Sequence, residues 1–138
     1  MRTAVDTNVL LDVFGADATF GPRSKEAIRL CLAEGSLVAC EVVWAEVSGL
    51  FPTADAARRR MELLQVQFDS IDLDTALAAG RAWKAYRSRG GRRGRVAADF
   101  LIGAHALAHA DRLLTRDRGF YRSSFSGLTI IDPAARSR

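Results

Sequence analysis

Four acidic residues occupy positions where their chemistry calls for an explanation: Asp6, Glu46, Asp99 and Asp117. Asp6 directly follows the short apolar run Thr3–Val5, and both Glu46 and Asp99 lie in segments that are otherwise largely apolar. Burying an unpaired carboxylate is costly, so each of these side chains is expected to have a charged partner or a metal ion.

Each acid taken alone also has an ordinary structural explanation. It can cap the N-terminus of a helix, as Asp99 would for a helix that starts later, or it can form an ion pair with one of the many arginines. This explanation weakens when all four acids occur together in one chain that alternates strands and helices.

The segments around the acids predict that alternation. Short apolar or alternating runs predict five strands, over Thr3–Val5, Ser36–Ala39, Phe68–Leu73, Arg112–Thr115 and Leu128–Ile131. Apolar residues at helical spacing predict helices between them, with Ser24, Thr53 or Asp55, and Asp74 as N-caps and Gly35 as a terminator. The order implies an α/β fold in which helices cover both faces of a central parallel sheet. Chemistry gathers at the carboxyl ends of such strands, where Asp6 and Asp117 are predicted to lie.

Length, charge and cysteine content set the outer bounds. The 138 residues fit one domain, residues 1–138, and no segment is long and apolar enough to span a bilayer. Lysine and arginine exceed acidic residues by 20 to 16, which fits a polyanionic partner or, equally, an arginine-rich coding bias. Cys31 and Cys40 have apolar neighbours and no ligand spacing, so we predict reduced core thiols in a cytoplasmic protein.

Other reactive patterns are weaker. His105 and His109 have a spacing compatible with zinc but lack the glutamate of the metalloprotease motif, so packing or surface roles are favoured. The chain has neither a Gly-Lys-Ser/Thr phosphate loop nor a Gly-x-Ser-x-Gly nucleophile elbow. Trp44 and Trp83 have apolar neighbours and are interpreted as core or interface residues.

The acids also carry a resemblance to a known family. Asp6-Thr7-Asn8 after the first strand resembles the opening signature of PIN domains, and Glu46 in a helix after the second strand resembles their second acid. Asp99, in an Ala-Ala-Asp-x-x-Ile helix, and Asp117, in Leu-Thr-Arg-Asp-x-x-Phe, resemble the third and fourth. The resemblance covers essentially the whole chain and is greatest to the VapC toxin ribonucleases of bacterial VapBC toxin–antitoxin pairs.

This resemblance implies a three-layer α/β/α domain with about five short parallel strands and a Mg²⁺-dependent endoribonuclease activity, with Mn²⁺ as a second possible metal. Asp6 and Asp99 are then the principal metal ligands, Asp117 completes the shell, and Glu46 orients the attacking water or contacts a second ion. Asn8 and Thr115 occupy the matching supporting polar positions. The products are expected to carry a 5′-phosphate and a 3′-hydroxyl.

Two alternatives remain open at the level of sequence. Another Mg²⁺-dependent phosphohydrolase could use Asp6 as its nucleophile, although such enzymes commonly have a second acid where Asn8 stands and a later lysine, and none follows Lys84. A catalytically silent PIN-like RNA-binding module is the other, although all four acids are present.

Partners follow from the same resemblance and from one basic segment. VapC-like proteins imply an RNA substrate, a small cognate antitoxin that places a basic side chain among the acids, and a homodimer. The Gly/Arg stretch from residue 89 to 95 carries the densest positive charge, and its glycines suit a mobile loop. We predict that Arg92, Arg93 and Arg95 bind RNA phosphates, the alternative being a solvated connector.

Overall fold

A computed structural model describes residues 1–92 and 95–134 of the chain. Strands and helices alternate along it, and their bounds are β1 (Arg2–Val5), α1 (Thr7–Phe14), α2 (Gly21–Glu34), β2 (Ser36–Ala39), α3 (Glu41–Ser48), α4 (Ala54–Leu63), β3 (Val66–Phe68), α5 (Leu73–Ser88), α6 (Ala97–His109), β4 (Arg112–Leu114), α7 (Arg118–Ser124) and β5 (Ile130–Ile131).

The five strands form one sheet in the order β3-β2-β1-β4-β5, and every neighbouring pair is parallel. The predicted three-layer α/β/α fold is confirmed. The chain adds β2 and then β3 on one side of β1, and later returns to add β4 on the other side. Such a switch in strand order opens a crevice beyond the carboxyl ends of the two central strands, here β1 and β4.

The central strands are apolar and buried, as expected for a sheet covered on both faces. Their core residues include Val5, Leu37, Val38, Leu113 and Leu114. Because β1 and β4 are short and buried at their carboxyl ends, they fix the position of the polar residues that follow them at the crevice. The strand ends are therefore a rigid platform for Asp6 and Thr115.

Several predicted boundaries are wrong. The third strand is Val66–Phe68 rather than Phe68–Leu73, because the Ser70 hydroxyl and the Ile71 N–H donate to the Glu41 carboxylate instead of continuing the sheet. Asp72, not Asp74, caps α5 by accepting from the Thr75 N–H.

Helix α2 begins one turn before its predicted start. It starts at Gly21 with Pro22 in its first turn, where the missing N–H of proline costs nothing. Ser24 is therefore inside the helix and buried, where its hydroxyl donates to Asp12 at 2.8 Å. The short helix α7 was not predicted, because its seven residues have too few apolar positions to show a helical period.

Both cysteines lie in the core, as predicted. Cys31 and Cys40 are buried and are not joined in a disulfide, and burial raises the pKa of both thiols. Within residues 1–92 and 95–134, no helix has the length and apolar character needed to cross a membrane.

Candidate active site

Asp6 lies at the junction between β1 and α1. Its backbone is extended, and its Oδ1 accepts from the Thr7 N–H at 2.7 Å, which makes it the N-cap of α1. Its own N–H donates to the carbonyl of Leu114 on β4, so the sheet hydrogen bonding continues as far as this residue. The carboxylate is thereby held at the crevice between β1 and β4.

Asp6 is only 6% exposed, and that burial changes its ionisation. Burial raises the pKa of Asp6 from 3.8 to about 6, while hydrogen bonds from the Thr115 hydroxyl, the Thr7 N–H and the Tyr121 hydroxyl oppose the rise, and the Asp99 charge adds to it. A carboxylate in this condition gains strongly from a nearby cation.

Asn8 and Thr115, the predicted supporting residues, both contact Asp6. The Thr115 hydroxyl donates to Asp6 Oδ2 at 2.7 Å, and the Asn8 amide approaches the same oxygen at 3.3 Å. Thr115 Oγ1 also accepts from the Asp117 N–H at 3.0 Å. One hydroxyl therefore connects the first and fourth of the predicted acids.

Asp99 and Asp117 are joined by Arg95. Asp99 is in the first turn of α6, and Asp117 is the residue before α7. The Arg95 guanidinium lies 2.5 Å from Asp117 Oδ2 and 3.8 Å from Asp99 Oδ2, and it stacks over the ring of Phe120. These contacts raise the pKa of Arg95, so a fixed positive charge stands between two of the predicted metal ligands.

Glu46 reaches the site from α3. Its Oε1 accepts from the Thr7 hydroxyl at 2.8 Å, and the residue is exposed. Since Thr7 follows Asp6 directly, the second acid is connected to the first through one residue. The structure thus brings all four predicted acids, carried by separate elements, to one edge of the sheet.

A model of the PIN domain family matches residues 3–125 of the chain. The chain belongs to the PIN domain family. This confirms the family resemblance that the four acid motifs carry.

Solved structures with the same fold include VapBC2 from Rickettsia felis bound to a promoter DNA fragment, at 17% identity and TM-score 0.73, over 96% of this chain and 98% of that one. VapBC-1 from nontypeable Haemophilus influenzae is similar at 19% identity and TM-score 0.73, over 98% and 100%. A toxin–antitoxin complex from Klebsiella pneumoniae is similar at 22% identity and TM-score 0.65, over 97% and 99%. No curated protein matches the chain significantly.

Tyr121 is a further residue of this PIN domain site that sequence reasoning missed. It is almost fully buried, and its pKa is raised by burial first and then by the charges of Asp6, Asp99 and Asp117. Its hydroxyl therefore stays protonated and remains a donor to Asp6. An aromatic residue four positions after Asp117 is indistinguishable from a core residue in the sequence alone.

A second missed feature is the ion pair that locks the site's backbone. The Arg116 guanidinium donates to both carboxylate oxygens of Asp12, at 2.7 and 3.0 Å, and the Arg116 N–H donates to the Asn8 side chain. Asp12 is buried, so this two-point contact holds α1 against the segment after β4. It fixes the spacing between Asn8 and Thr115.

The predicted RNA-binding arginines have different surroundings. Arg92 is exposed, and its N–H donates to the Tyr86 hydroxyl, whereas Arg95 lies among the acids. Arg93 lies outside the described residues. Through residues 1–92 and 95–134, the only trio of potential metal ligands with atoms within 4.8 Å of one another is Asp69, His105 and His109. No three of the four acids, all within these described ranges, converge in this way, and Arg95 lies between two of them, Asp99 and Asp117.

Proposed function

We propose that this PIN domain is an endoribonuclease that depends on Mg²⁺, or on Mn²⁺ in its place. We further propose that it acts as the toxin of a toxin–antitoxin pair. The observation that carries the proposal is the network at the crevice between β1 and β4. There Asp6, Glu46, Asp99 and Asp117 are connected through Thr7, Thr115 and Arg95.

The donor set of this network fits a hard divalent cation. All four side chains offer carboxylate oxygens, the ligands that Mg²⁺ and Mn²⁺ prefer. Arg95 already places a positive charge between Asp99 and Asp117, so the acids attract a cation to this point. Asp6 and Asp99 would hold the ion, and Asp117 would complete the shell. When bound, the ion supplies Lewis-acid chemistry, lowering the pKa of water and neutralising phosphate oxygens.

The chain's own residues would orient the attacking water and accept its proton. Glu46 is exposed at the crevice, so it can orient the attacking water and accept its proton, and the Thr7 hydroxyl fixes one of its oxygens for that purpose. Thr115 and Asn8 hold the Asp6 carboxylate in one orientation. The Tyr121 hydroxyl adds a permanent donor beside Asp6.

Basic residues support RNA as the substrate. The chain has a formal net charge of +4 although the site itself is acidic, so arginines outside the site are needed to attract a phosphate backbone. Arg92 is exposed and lies on the chain segment that leads to α6. We propose that Arg92 contacts RNA phosphates and that Arg93 and Arg95 assist it, Arg95 once it leaves the acids.

A cognate antitoxin and a homodimer complete the proposal. A basic antitoxin side chain placed between Asp99 and Asp117 would take the position that Arg95 holds and would block the site. Large apolar side chains are exposed at Leu63, Phe68, Leu73 and Leu77, in β3 and in the neighbouring ends of α4 and α5, and exposed side chains of this kind favour association with protein. Light scattering on the chain alone and with its antitoxin measures both associations.

The decisive experiment is RNA cleavage by the purified chain and by Asp99→Asn. We expect Mg²⁺ to support cleavage that yields 5′-phosphate ends, EDTA to stop it, and Asp99→Asn to reduce it by at least about a hundredfold, because an amide is a poor ligand for a hard cation. Asp55→Asn is the matched control, since Asp55 is exposed and its one ion pair among the described residues is a 3.5 Å contact with Arg58.

Two outcomes would overturn the proposal. Cleavage by folded Asp99→Asn at the wild-type rate would show that the network of Asp6, Glu46, Asp99 and Asp117 (the acid network) does not carry the activity. Hydrolysis of a small phosphomonoester without RNA cleavage would assign the site to another phosphohydrolase. For the toxin role, expression of the wild-type chain alone should arrest bacterial growth, and Asp99→Asn should not.

A further inference from the structure

A second cluster of potential metal ligands lies outside the acid network. Asp69 follows β3, while His105 and His109 occupy the last turns of α6, four residues apart on one face. Three atoms, one from each residue, lie within 4.8 Å of one another. The cluster therefore joins two elements that are distant in sequence.

One carboxylate oxygen is the common point of the cluster. Asp69 Oδ2 lies 2.7 Å from His105 Nε2 and 2.9 Å from His109 Nδ1. His105 is only 1% exposed, and its Nε2 contacts Asp69 inside the fold. An imidazole nitrogen that carries no proton offers a lone pair, which is what a metal ion binds.

Both ring nitrogens of His109 have partners. Nδ1 lies 2.9 Å from Asp69 Oδ2, and Nε2 lies 3.0 Å from Asp72 Oδ2 and 3.2 Å from the Thr75 hydroxyl oxygen. In the tautomer whose Nε2–H donates to Asp72, the lone pair is at Nδ1, on the side where Asp69 Oδ2 and His105 also lie.

We propose that Asp69, His105 and His109 form a second metal site, separate from the acid network and suited to Zn²⁺. Two imidazole nitrogens and one carboxylate oxygen are a typical zinc ligand set, and a water would supply the fourth position. Mg²⁺ prefers oxygen ligands throughout, so the two sites should select different ions.

The ligand spacing describes a contracted site that has only to open slightly. Tetrahedral Zn²⁺ with bonds of about 2.0–2.1 Å keeps its ligand atoms about 3.3 Å apart. The observed separations of 2.7 and 2.9 Å are hydrogen-bonding distances. Side-chain rotations that move the Asp69 and His109 ligand atoms apart by about half an ångström would give the spacing that Zn²⁺ requires. His109 and Asp69 are partly exposed, which leaves them room to adjust.

Neighbouring groups hold the ligands in the required orientation. Asp72 accepts from His109 Nε2, and a carboxylate behind a ligating histidine fixes the tautomer and raises its basicity. Arg2 contacts Asp69 through the other carboxylate oxygen, Oδ1, at 2.7 Å, which leaves Oδ2 facing the histidines. Asp72 and Arg2 are therefore positioning residues.

The location indicates what the ion would do. His105 and His109 lie roughly 9 and 15 Å along α6 from Asp99, at 1.5 Å per residue, so the ion would be distant from the acids. It would connect the end of α6 to the β3–α5 segment and restrain the helix that carries Asp99. A bound ion should therefore raise the melting temperature.

The test uses chain without a histidine tag, because His105 and His109 are then its only two histidines. Zn²⁺ affinity is measured by competition with a chromophoric chelator for wild type, His109→Gln, Asp72→Asn and the acid-site variant Asp6→Asn/Asp99→Asn. We expect one tightly bound Zn²⁺ in wild type and in the acid-site variant, weakening of at least about a hundredfold in His109→Gln, and about tenfold in Asp72→Asn.

Two further measurements make each outcome decisive. The ¹⁵N signals of both histidines should shift on Zn²⁺ addition, and the Co²⁺-substituted chain should show a tetrahedral absorption spectrum without thiolate bands from Cys31 or Cys40. Loss of Zn²⁺ binding in the folded acid-site variant, or wild-type affinity in folded His109→Gln, would overturn the proposal. Histidine signals unmoved by saturating Zn²⁺ would do the same, leaving a purely hydrogen-bonded cluster.

Discussion

Replacing Asp6 by asparagine should abolish the proposed activity yet stabilise the metal-free protein at neutral pH. The folded protein binds the Asp6 proton more tightly than the unfolded chain, since burial raises the pKa of Asp6 from 3.8 to about 6. The resulting contribution to stability is fully present below about pH 4 and is lost as the pH rises through about 6. Two pKa units at about 1.4 kcal/mol each give a loss of about 3 kcal/mol at pH 7.5.

Asparagine resembles the protonated acid, so it avoids most of that loss. Its oxygen can keep the bond from the Thr7 N–H, and the Thr115 hydroxyl, which donates to Oδ2, can instead accept from the new amide nitrogen, but that nitrogen would face the Asn8 amide. One compromised hydrogen bond costs about 1 kcal/mol. We therefore expect Asp6→Asn to be more stable than wild type by about 1–2 kcal/mol at pH 7.5, or roughly 3–8 °C in melting temperature.

The assay is thermal unfolding of both proteins in EDTA from pH 4.5 to 8, with Asp55→Asn as the control. The difference between Asp6→Asn and wild type should shrink toward pH 4.5, and saturating Mg²⁺ at pH 7.5 should stabilise wild type selectively. A variant that is less stable than wild type at pH 7.5, or a difference that is constant across the range, would refute the reasoning.

Two other substitutions probe the same network. Arg95→Gln removes the guanidinium that contacts Asp99 and Asp117, so Mg²⁺ affinity measured by calorimetry should rise several-fold; an unchanged or weaker affinity would contradict this, and Arg58→Gln in an exposed pair is the control. Tyr121→Phe removes the hydroxyl that lowers the pKa of Asp6. As the pH is lowered, the variant should therefore lose Mg²⁺ binding at a higher pH than wild type does, and it should be less stable by about 1 kcal/mol. Tyr86→Phe is its control, because the Tyr86 hydroxyl contacts only the Arg92 backbone among these groups, and equal pH profiles would remove Tyr121 from the site.

The elements predicted from the sequence agree with the structure wherever a hydrophobic period is long or a helix terminator is strong. Ser36–Ala39 is a strand as predicted, and Gly35 ends α2 where expected. Prediction failed at Phe68–Leu73, where alternating residues imitate a strand while Glu41, distant in sequence, captures Ser70 and Ile71. Local pattern cannot show which long-range partner will satisfy a backbone N–H.

The candidate site also contains residues that the sequence identified and residues that it could not identify. Glu46 and Asp99 could be found because a carboxylate in an apolar segment is unusual, and Asp6 and Asp117 because they follow predicted strands, whereas Tyr121 and Asp12 could not be found. A buried tyrosine near a strand end has the same sequence signature as any core aromatic, and the pairing of Asp12 with Arg116 spans most of the chain. Their roles depend on how β1 and β4 are brought side by side.

Three different positive charges can offset the negative charge of the acid network, and they compete with one another. A proton on Asp6, the guanidinium of Arg95 and a divalent cation each lessen the repulsion among the same carboxylates. Arg95 contacts Asp99 and Asp117, so it would have to leave them if both were to hold a divalent cation, and its guanidinium could then contact an RNA phosphate. A single arginine would in this way couple metal binding to substrate binding, because the group released from the carboxylates is one that binds phosphate.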